Sequence, residues 1–359
     1  MMVDKTKITI VGAGNVGKGV FKAIKHNPDM MLAGIISRDV QRVVNDQPFY
    51  DELLAPIYSA TDLRAIEKVA EKTDVAILCG GSATDLPKQG PFYSLFFNTV
   101  DSFDTHADIP GYDRMMNGVA RFHKHTSVIS GGWDPGTFSL ERVFGDSFIP
   151  YSKAYTFWGE EEVGGVSQGH SQAIKALEGV LDAIQYTIPV KEALQRVRNG
   201  EDPELTTREK HTRLCYIALT PDADREKVIH AIVNMPKYFE DYDTTVNIES
   251  PEQIAERKKE MPHGGFVLTS GKTGDGHRAI IEYSNHWQSN PEATGNILVA
   301  CARACNRLNK EGKEFSSLIM PGELRDKIEP IYFGSKTMLD IPPAYYSPHS
   351  REELLKHWM

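Results

Sequence analysis

Two segments of this chain each set a carboxylate beside an aromatic ring: Phe103-Asp104 and Trp133-Asp134. A second group of polar residues follows them. It comprises the helix-start series Ser167-Gln168-Gly169-His170-Ser171, then Thr187, Arg213, His263 and Asn290. Two carboxylates converging on one point form a receptor for an ammonium group and are able to take a proton from it. Hydroxyl, guanidinium and imidazole donors suit the opposite charge, a carboxylate. Each residue also has a plainer reading. An Asp at such a turn serves equally as a helix cap, and Asp134 before Pro135 is well placed for that. Arg213 falls within a strand pattern, where a structural salt bridge would satisfy it as well as a ligand would. Asn290 precedes Pro291 at a helix start, a capping position. His263 differs, because between Pro262 and Gly264-Gly265 it cannot be a packed histidine on a regular element. That placement turns it toward a ligand.

A further cluster stands at the start of the chain. Lys7-Ile-Thr-Ile-Val11 breaks into Gly12-Ala-Gly14-Asn15-Val16-Gly17, and a helical pattern follows at once. In such a Gly-x-Gly-x-x-Gly the first glycine permits a tight turn. The second lets backbone approach a pyrophosphate, and the third lets the helix pack on its strand. The helix start, Asn15 and Val16 included, offers open N–H groups and a positive dipole end to phosphates. Roughly 20 residues past the glycines, an NAD enzyme carries an acid for the ribose hydroxyl. This chain has Ser37-Arg38 there, a hydroxyl donor and a guanidinium suited to a 2′-phosphate. The pair favours NADP, although Asp39 follows it directly. Beyond Cys79 comes Gly80-Gly81-Ser82-Ala83-Thr84-Asp85, short, small and polar, as backbone passing close to a cofactor must be.

These residues need strands to hold them. Strand patterns occur at 7–12, 31–36, 74–79, 97–101 and 126–130, and helical spacing at 16–26, 62–72, 87–95 and 108–124. That alternation predicts an α/β fold, a Rossmann doubly wound parallel sheet with ligands beyond the carboxyl ends of its strands. The polar, Pro-containing stretch 39–60 reads as a loop or irregular crossover. From about 150 the pattern changes to strands at 154–158, 183–187, 212–218, 244–248, 265–270 and 279–283 among fewer helices. This predicts a second, α+β domain whose sheet is open on one face and covered on the other. The domain plan is then 1–150 for the dinucleotide, 151–290 for the substrate, and 311–359 as a C-terminal extension. Between them a helix over 290–310, with its stripe Ile297, Ala300, Cys301, Ala304 and Leu308, is expected to pack back on the first domain. The extension is expected to wrap a neighbouring domain or subunit.

Composition narrows the class. At 359 residues the chain exceeds one small core and reads as two domains. A net charge of −9 argues against nucleic acid or an anionic membrane surface as partner. No apolar run approaches the roughly 18 residues that span a bilayer. The first strand starts so early that no signal peptide is expected ahead of it. The four cysteines, at 79, 215, 301 and 305, lack metal spacing, so no metal site is expected. A reduced, cytoplasmic setting fits them.

Taken together the motifs resemble a known family. They are GSATD (81–85), Val100-Asp-x-x-Asp104-x-His106, GWDPG (132–136), TFWG (156–159), SQGHS (167–171), QYT (185–187), HTRLC (211–215), MPHGG (261–265) and NP (290–291). In this order, over roughly residues 7 to 310, they closely resemble the meso-diaminopimelate dehydrogenases. The resemblance implies a homodimer, formed through the second domain. The activity it implies is reversible, NADP-dependent oxidative deamination of the D-centre of meso-2,6-diaminopimelate. It places Asp104 and Asp134, with Trp133 and Trp158, around that D-centre. Thr187, Arg213, His263 and Asn290 would hold the distal L-centre, and Gln168 and Gly169 would lie near the substrate. The chain departs from the family pattern in a longer, acidic loop at 159–166, in Gln172 where an Asp is common, in Asp39 for a second arginine, and in its extended C-terminus. A sugar or lactone oxidoreductase of the same plan would carry Glu-Lys-Pro in place of GSATD. A dihydrodipicolinate-reductase-like enzyme would need a His-His pair, which this chain lacks. A non-catalytic NADP-binding sensor would have lost some of the carboxylates, the Arg or the His. A same-fold dehydrogenase of another D-amino acid is the nearest competing reading.

Overall fold

Runs such as Val75-Ala76-Ile77-Leu78, fully buried along their whole length, are the mark of parallel strands covered on both faces. In a computed structural model, which describes residues 5–318 and 321–356, such runs alternate with helices through the first part of the chain. The order is β1 (Thr6–Val11), α1 (Asn15–His26), β2 (Met30–Ser37), α2 (Val40–Asn45), α3 (Gln47–Tyr50), β3 (Ile57–Ser59), α4 (Leu63–Ala70), β4 (Val75–Leu78), α5 (Leu86–Tyr93), β5 (Asn98–Asp101), α6 (Ile109–Phe122) and β6 (Thr126–Val128). A turn over Trp133–Thr137 leads into α7 (Phe138–Phe148). Then come β7 (Tyr151–Trp158), β8 (Gly165–Val166), α8 (Gln168–Lys175), β9 (Val180–Pro189), α9 (Lys191–Arg198), α10 (Thr207–Lys210), β10 (His211–Leu219), α11 (Arg225–Val233), β11 (Asp243–Ile248), α12 (Pro251–Arg257), β12 (His263–Lys272) and β13 (Arg278–Trp287). The chain closes with α13 (Asn290–Ser317), α14 (Gly322–Tyr332), β14 (Gly334–Lys336) and α15 (Arg351–Lys356).

Two compact units result. One runs to Ser139 and resumes at Pro291; the other is Leu140–Asn290. The first unit holds a seven-stranded sheet in the order β14-β6-β5-β4-β1-β2-β3, every pairing parallel. The order reverses between β1 and β4, the switch point at which an open α/β sheet leaves a crevice for ligands. Ile66 and Val69 of α4 and Met116 of α6 pack with Val11, Ile36 and Leu78 of the sheet. The doubly wound reading of the sequence therefore holds.

The structure differs from the expected elements in three places. Residues 39–60, expected as a loop or irregular crossover, prove to be a crossover with short elements of its own: Asp39 caps α2 by accepting from the Arg42 amide (2.9 Å), α3 buries Phe49, and β3 pairs with β2. Elements of three to six residues are too short to show a period. The extension belongs to the first unit, where β14 lies parallel to β6, Gly334 beside Thr126 and Lys336 beside Val128. Arg303, 3% exposed, pairs with Asp29 and donates to the Tyr346 carbonyl, while Arg307 donates to those of Ala344, Tyr345 and Ser347.

The second unit contains two sheets where one was expected. A four-stranded sheet, β11-β10-β9-β8, packs Ala183, Cys215 and Ile217 against Ile174 of α8 and Val228 and Ile232 of α11. Its other face packs Ile184 and Ala218 on Ile254 of α12, so neither face is open. A three-stranded antiparallel sheet, β13-β12-β7, covers its Tyr155, Phe157, Phe266 and Leu268 with Leu194 and Val197 of α9. Both sheets consist of similar short apolar runs, and the sequence carries no mark of which strands pair.

Candidate active site

In the first unit the glycine loop follows β1. Gly12 takes a φ of +98°, and a Cβ on Gly17 would lie 2.0 Å from the Gly12 carbonyl oxygen, so helix and loop meet at backbone distance. Gly14 precedes α1 and makes no side-chain cap, which leaves the amides of Asn15, Val16 and Gly17 open to an anion. These features fit the pyrophosphate of a dinucleotide.

At the end of β2 the hydroxyl of Ser37 is used locally, in contact with the Asp39 amide and carbonyl, and Asp39 caps α2. Arg38 remains the exposed cation. Its guanidinium faces Asp85, which also accepts from the Gly81 amide at 3.0 Å and so shapes the loop Gly80–Asp85. Ser82 of that loop accepts from the Asp104 amide at 2.8 Å. The cofactor loop and one proposed catalytic carboxylate are thereby joined, and Thr84 packs beside Gly81.

Asp101 holds both carboxylate-bearing turns. It is fully buried at the end of β5 and accepts from the amides of Phe103 (3.0 Å) and Ser130 (3.1 Å) and from the Tyr112 hydroxyl (2.7 Å). Burial pushes its carboxyl above the ordinary range, opposed by these three donors. Phe103 stacks on Tyr112 at 4.3 Å. Asp104 is exposed, and among the described residues its carboxylate has no partner. It is not a helix cap, since Thr105 precedes the short helix that starts at His106. Asp134 stands four residues ahead of α7, outside the cap position as well. Trp133 is 9% exposed and meets Phe138 edge-on at 5.9 Å.

In the second unit Trp158 ends β7. Its indole stacks on His211 at 4.7 Å and 14°, and its amide donates to His211 Nε2 at 2.7 Å. His211 is wholly buried, which keeps its imidazole neutral far below its ordinary pKa. Ser167 caps α8 and contacts His170, whose burial lowers its pKa to about 3. Gln168 Nε2 donates to Asn290 Oδ1 (3.1 Å), and Asn290 Nδ2 donates to the Val166 carbonyl (2.8 Å). A Cβ on Gly169 would meet nothing within 4 Å, so that surface is open. His263 proves to be the first residue of β12 rather than part of a loop, and burial lowers it to about 4. A strand end was not readable there because Gly264 and Gly265, both at positive φ, disguise it.

Thr187 and Arg213 face each other across β9 and β10. The guanidinium is 4% exposed, donates to the Thr187 hydroxyl and lies over the Tyr242 ring at 3.8 Å. Among the described residues no carboxylate pairs with it, and its Nε has no hydrogen-bond partner. Burial lowers its pKa, and Tyr242 opposes that shift. The salt bridge that the strand position suggested is thus missing, and a buried cation of this kind calls for an anion. Gln185, Tyr242 and Thr244 belong to the same surroundings. The sequence reading missed them; the only signal was Gln185 standing two residues before Thr187, on the same face of a strand.

The acidic loop is tied down within its own unit: Glu161 to Arg198 (2.5 Å), Glu162 to Lys191 (3.5 Å) and Glu160 to His286 (3.6 Å). Gln172 is exposed on α8. Among the described residues no cluster of His, Cys, Asp and Glu could hold a metal, and all four cysteines are free.

Comparisons with known proteins bear on the family of the chain. The family model described as the diaminopimelic acid dehydrogenase C-terminal domain matches residues 132–289. A meso-diaminopimelate D-dehydrogenase of Ureibacillus thermosphaericus is 46% identical over 99% of both chains. One of Corynebacterium glutamicum is 36% identical over 97% of this chain and 98% of its own. The solved C. glutamicum DAP dehydrogenase in complex with DAP has a TM-score of 0.85 at 34% identity, over 99% of this chain and 100% of that one. An engineered D-amino acid dehydrogenase bound to NADP+ has a TM-score of 0.84 at 33% identity, with the same coverage. With likeness running the length of both units, the chain belongs to the diaminopimelate dehydrogenase family.

Proposed function

We propose that this enzyme catalyses the reversible, NADP-dependent oxidative deamination of the D-centre of meso-2,6-diaminopimelate, giving L-2-amino-6-oxopimelate and ammonia. The observation that carries the reading is Arg213, a buried guanidinium that no carboxylate of the described residues pairs. A substrate with a carboxylate remote from its reacting carbon supplies that partner.

In this reading Asp104 and Asp134, with Trp133 and Trp158, receive the D-centre and its ammonium. Thr187, Arg213, His263 and Asn290 hold the distal L-centre, and Gln168 and Gly169 line the substrate. Charge-assisted hydrogen bonds of this kind contribute about 1.5–3 kcal/mol each. A shorter amino acid would leave buried donors unpaired and be rejected by on the order of 10⁴. Asp104 or Asp134 takes the proton that the amine must lose before the carbon–nitrogen double bond forms. Water then adds to that carbon and ammonia leaves. The glycine loop, the open amides of α1 and Arg38 would hold NADP, which when bound supplies the hydride acceptor.

The enzyme is proposed to act in the cytoplasm as a homodimer. Val143, Phe144 and Phe148 of α7, and Tyr151 beyond it, form an exposed apolar face that supports self-association. Sedimentation of Phe144→Lys and Phe148→Glu variants as monomers would bear this out; unchanged dimers would move the interface elsewhere.

The decisive assay follows NADPH absorbance with meso-, LL- and DD-diaminopimelate and a panel of D-amino acids, each with NADP+ and NAD+. Turnover of the meso isomer with NADP+, and little with LL, is the expected result. Activity confined to simpler D-amino acids would overturn the substrate and keep the reaction.

A further inference from the structure

The surroundings of Arg213 hold an asymmetry of donors and acceptors. The Thr187 hydroxyl oxygen accepts from Arg213 Nη1 and also from Gln185 Nε2, the latter at 3.3 Å. A threonine hydroxyl has two lone pairs and one proton. With N–H donors on both lone pairs, that proton is all it can offer to a further group. The guanidinium has donors only. A ligand group meeting both must therefore accept from both, as a carboxylate does and an ammonium or amide N–H cannot.

Gln185 is the residue that completes this polarity. It is wholly buried, two positions before Thr187 on one face of β9, where that face passes from apolar Ala183 to polar Thr187. Its backbone amide donates to Ser171 Oγ at 3.0 Å, and Ser171 in turn donates to the Ser167 carbonyl at the start of α8. Its own carboxamide oxygen is buried without a partner. Such an orphan is destabilising and calls for an explanation beyond packing. Pointing the amino end at Thr187 supplies one.

We infer that Gln185 is a positioning residue that fixes the Thr187 hydroxyl as a donor and so commits this pocket to the carboxylate end of the substrate. The inference rests on the proposed reading that Thr187 and Arg213 bind a distal carboxylate. Gln185 acts through Thr187 and does not itself touch the ligand.

The test compares Gln185→Glu, Gln185→Met and Arg213→Met with the unaltered enzyme. For each, KM and kcat for meso-diaminopimelate are measured between pH 6 and 8, with NADP+ affinity and melting temperature to show that the protein is folded. In the Glu variant an ionised carboxylate accepts the Thr187 proton and opposes the ligand. KM at pH 8 should rise about 10- to 100-fold, with kcat and NADP+ affinity within about threefold. As pH falls and the introduced carboxyl regains its proton, it donates as Gln185 does, and the KM ratio to the unaltered enzyme should fall. The titratable groups with a resolved shift nearby hold their states over this range: Cys215 is pushed up to about 12, His170 is held down to about 3, burial holds His211 well below its ordinary value, and Arg213 stays charged. The Met variant should raise KM about three- to tenfold, with a ratio independent of pH.

A KM for the Glu variant within twofold of the unaltered enzyme at pH 8 would overturn the role, as would a pH-independent rise no larger than that of the Met variant. Should the Glu variant not fold, an unchanged KM in the Met variant would overturn it. Arg213→Met separates the two ideas. If it too leaves KM unchanged, the carboxylate reading itself has failed; if it raises KM and the Gln185 variants do not, only Gln185 loses its part.

Discussion

The Arg38 guanidinium meets the Asp85 carboxylate in two contacts, Nη1 to Oδ1 at 2.8 Å and Nη2 to Oδ2 at 3.3 Å. The cation suited to a cofactor 2′-phosphate thus already has an internal partner. The Arg38 side chain is 71% exposed, and a pair so open to water is weak enough to be exchanged for a dianion. Asp85→Asn keeps an acceptor for the Gly81 amide and removes the competing charge. NADP+ should then bind up to about fivefold more tightly while NAD+ is unchanged, read by fluorescence titration. Equal tightening of both cofactors would show that Arg38 does not read the 2′-phosphate.

Arg213→Met should raise KM for meso-diaminopimelate by about 10²-fold or more and leave NADP+ affinity within about threefold. Steady-state kinetics with direct cofactor titration checks it. Loss of cofactor affinity with turnover retained would mean that the guanidinium serves the other ligand.

Asp101→Ala leaves the Phe103 and Ser130 amides and the Tyr112 hydroxyl without their acceptor. The variant should be less stable by about 3 kcal/mol in urea denaturation. Its kcat should fall as well, since the turns bearing Asp104 and Asp134 both start from that carboxylate. A stable variant with unaltered kcat would show that the turns hold their shape without it.

Three imidazoles, His211 buried and His170 and His263 half-buried, predict a one-sided acid sensitivity. His170, His211 and His263 are all held neutral, below their ordinary value of 6.5, with His170 at about 3 and His263 at about 4. Below pH 6.5 the unfolded chain binds protons at these sites and the folded chain does not, so stability falls with pH. It should be fully present above about 6.5 and decline from there toward 4, through these groups. Melting temperatures taken from pH 7.5 to 5 read this directly. A flat profile would mean that the rings are protonated in the folded state.

Much of the first unit could be read from the sequence because strands such as β1, β2 and β4 are apolar runs and the crossovers α1, α4, α5 and α6 are helices of eight residues or more. The segment 39–60 escaped because its order rests on one capping carboxylate, Asp39, and one buried ring, Phe49. The Gly334-Ser335-Lys336 strand carries no β-branched residue and is held by its neighbour β6 and by Asn117 and Asp113 of α6. At the candidate site, charged groups such as Arg213 and the two aspartates stood out as residue types. The residues that set their geometry did not. Asp101, Gln185, His211 and Tyr242 act through hydrogen bonds or ring contacts that only the folded structure shows.

The β14–β6 pairing has a consequence for how the molecule is made. The sheet that carries the glycine loop takes its seventh strand from residues 334–336, which leave a ribosome only after the whole continuous stretch Leu140–Asn290. During translation the second unit has its whole sequence in hand while the sheet of the first still exposes β6 as an open edge. Until β14 arrives, that edge is where a growing chain is most exposed to pairing with the wrong strand.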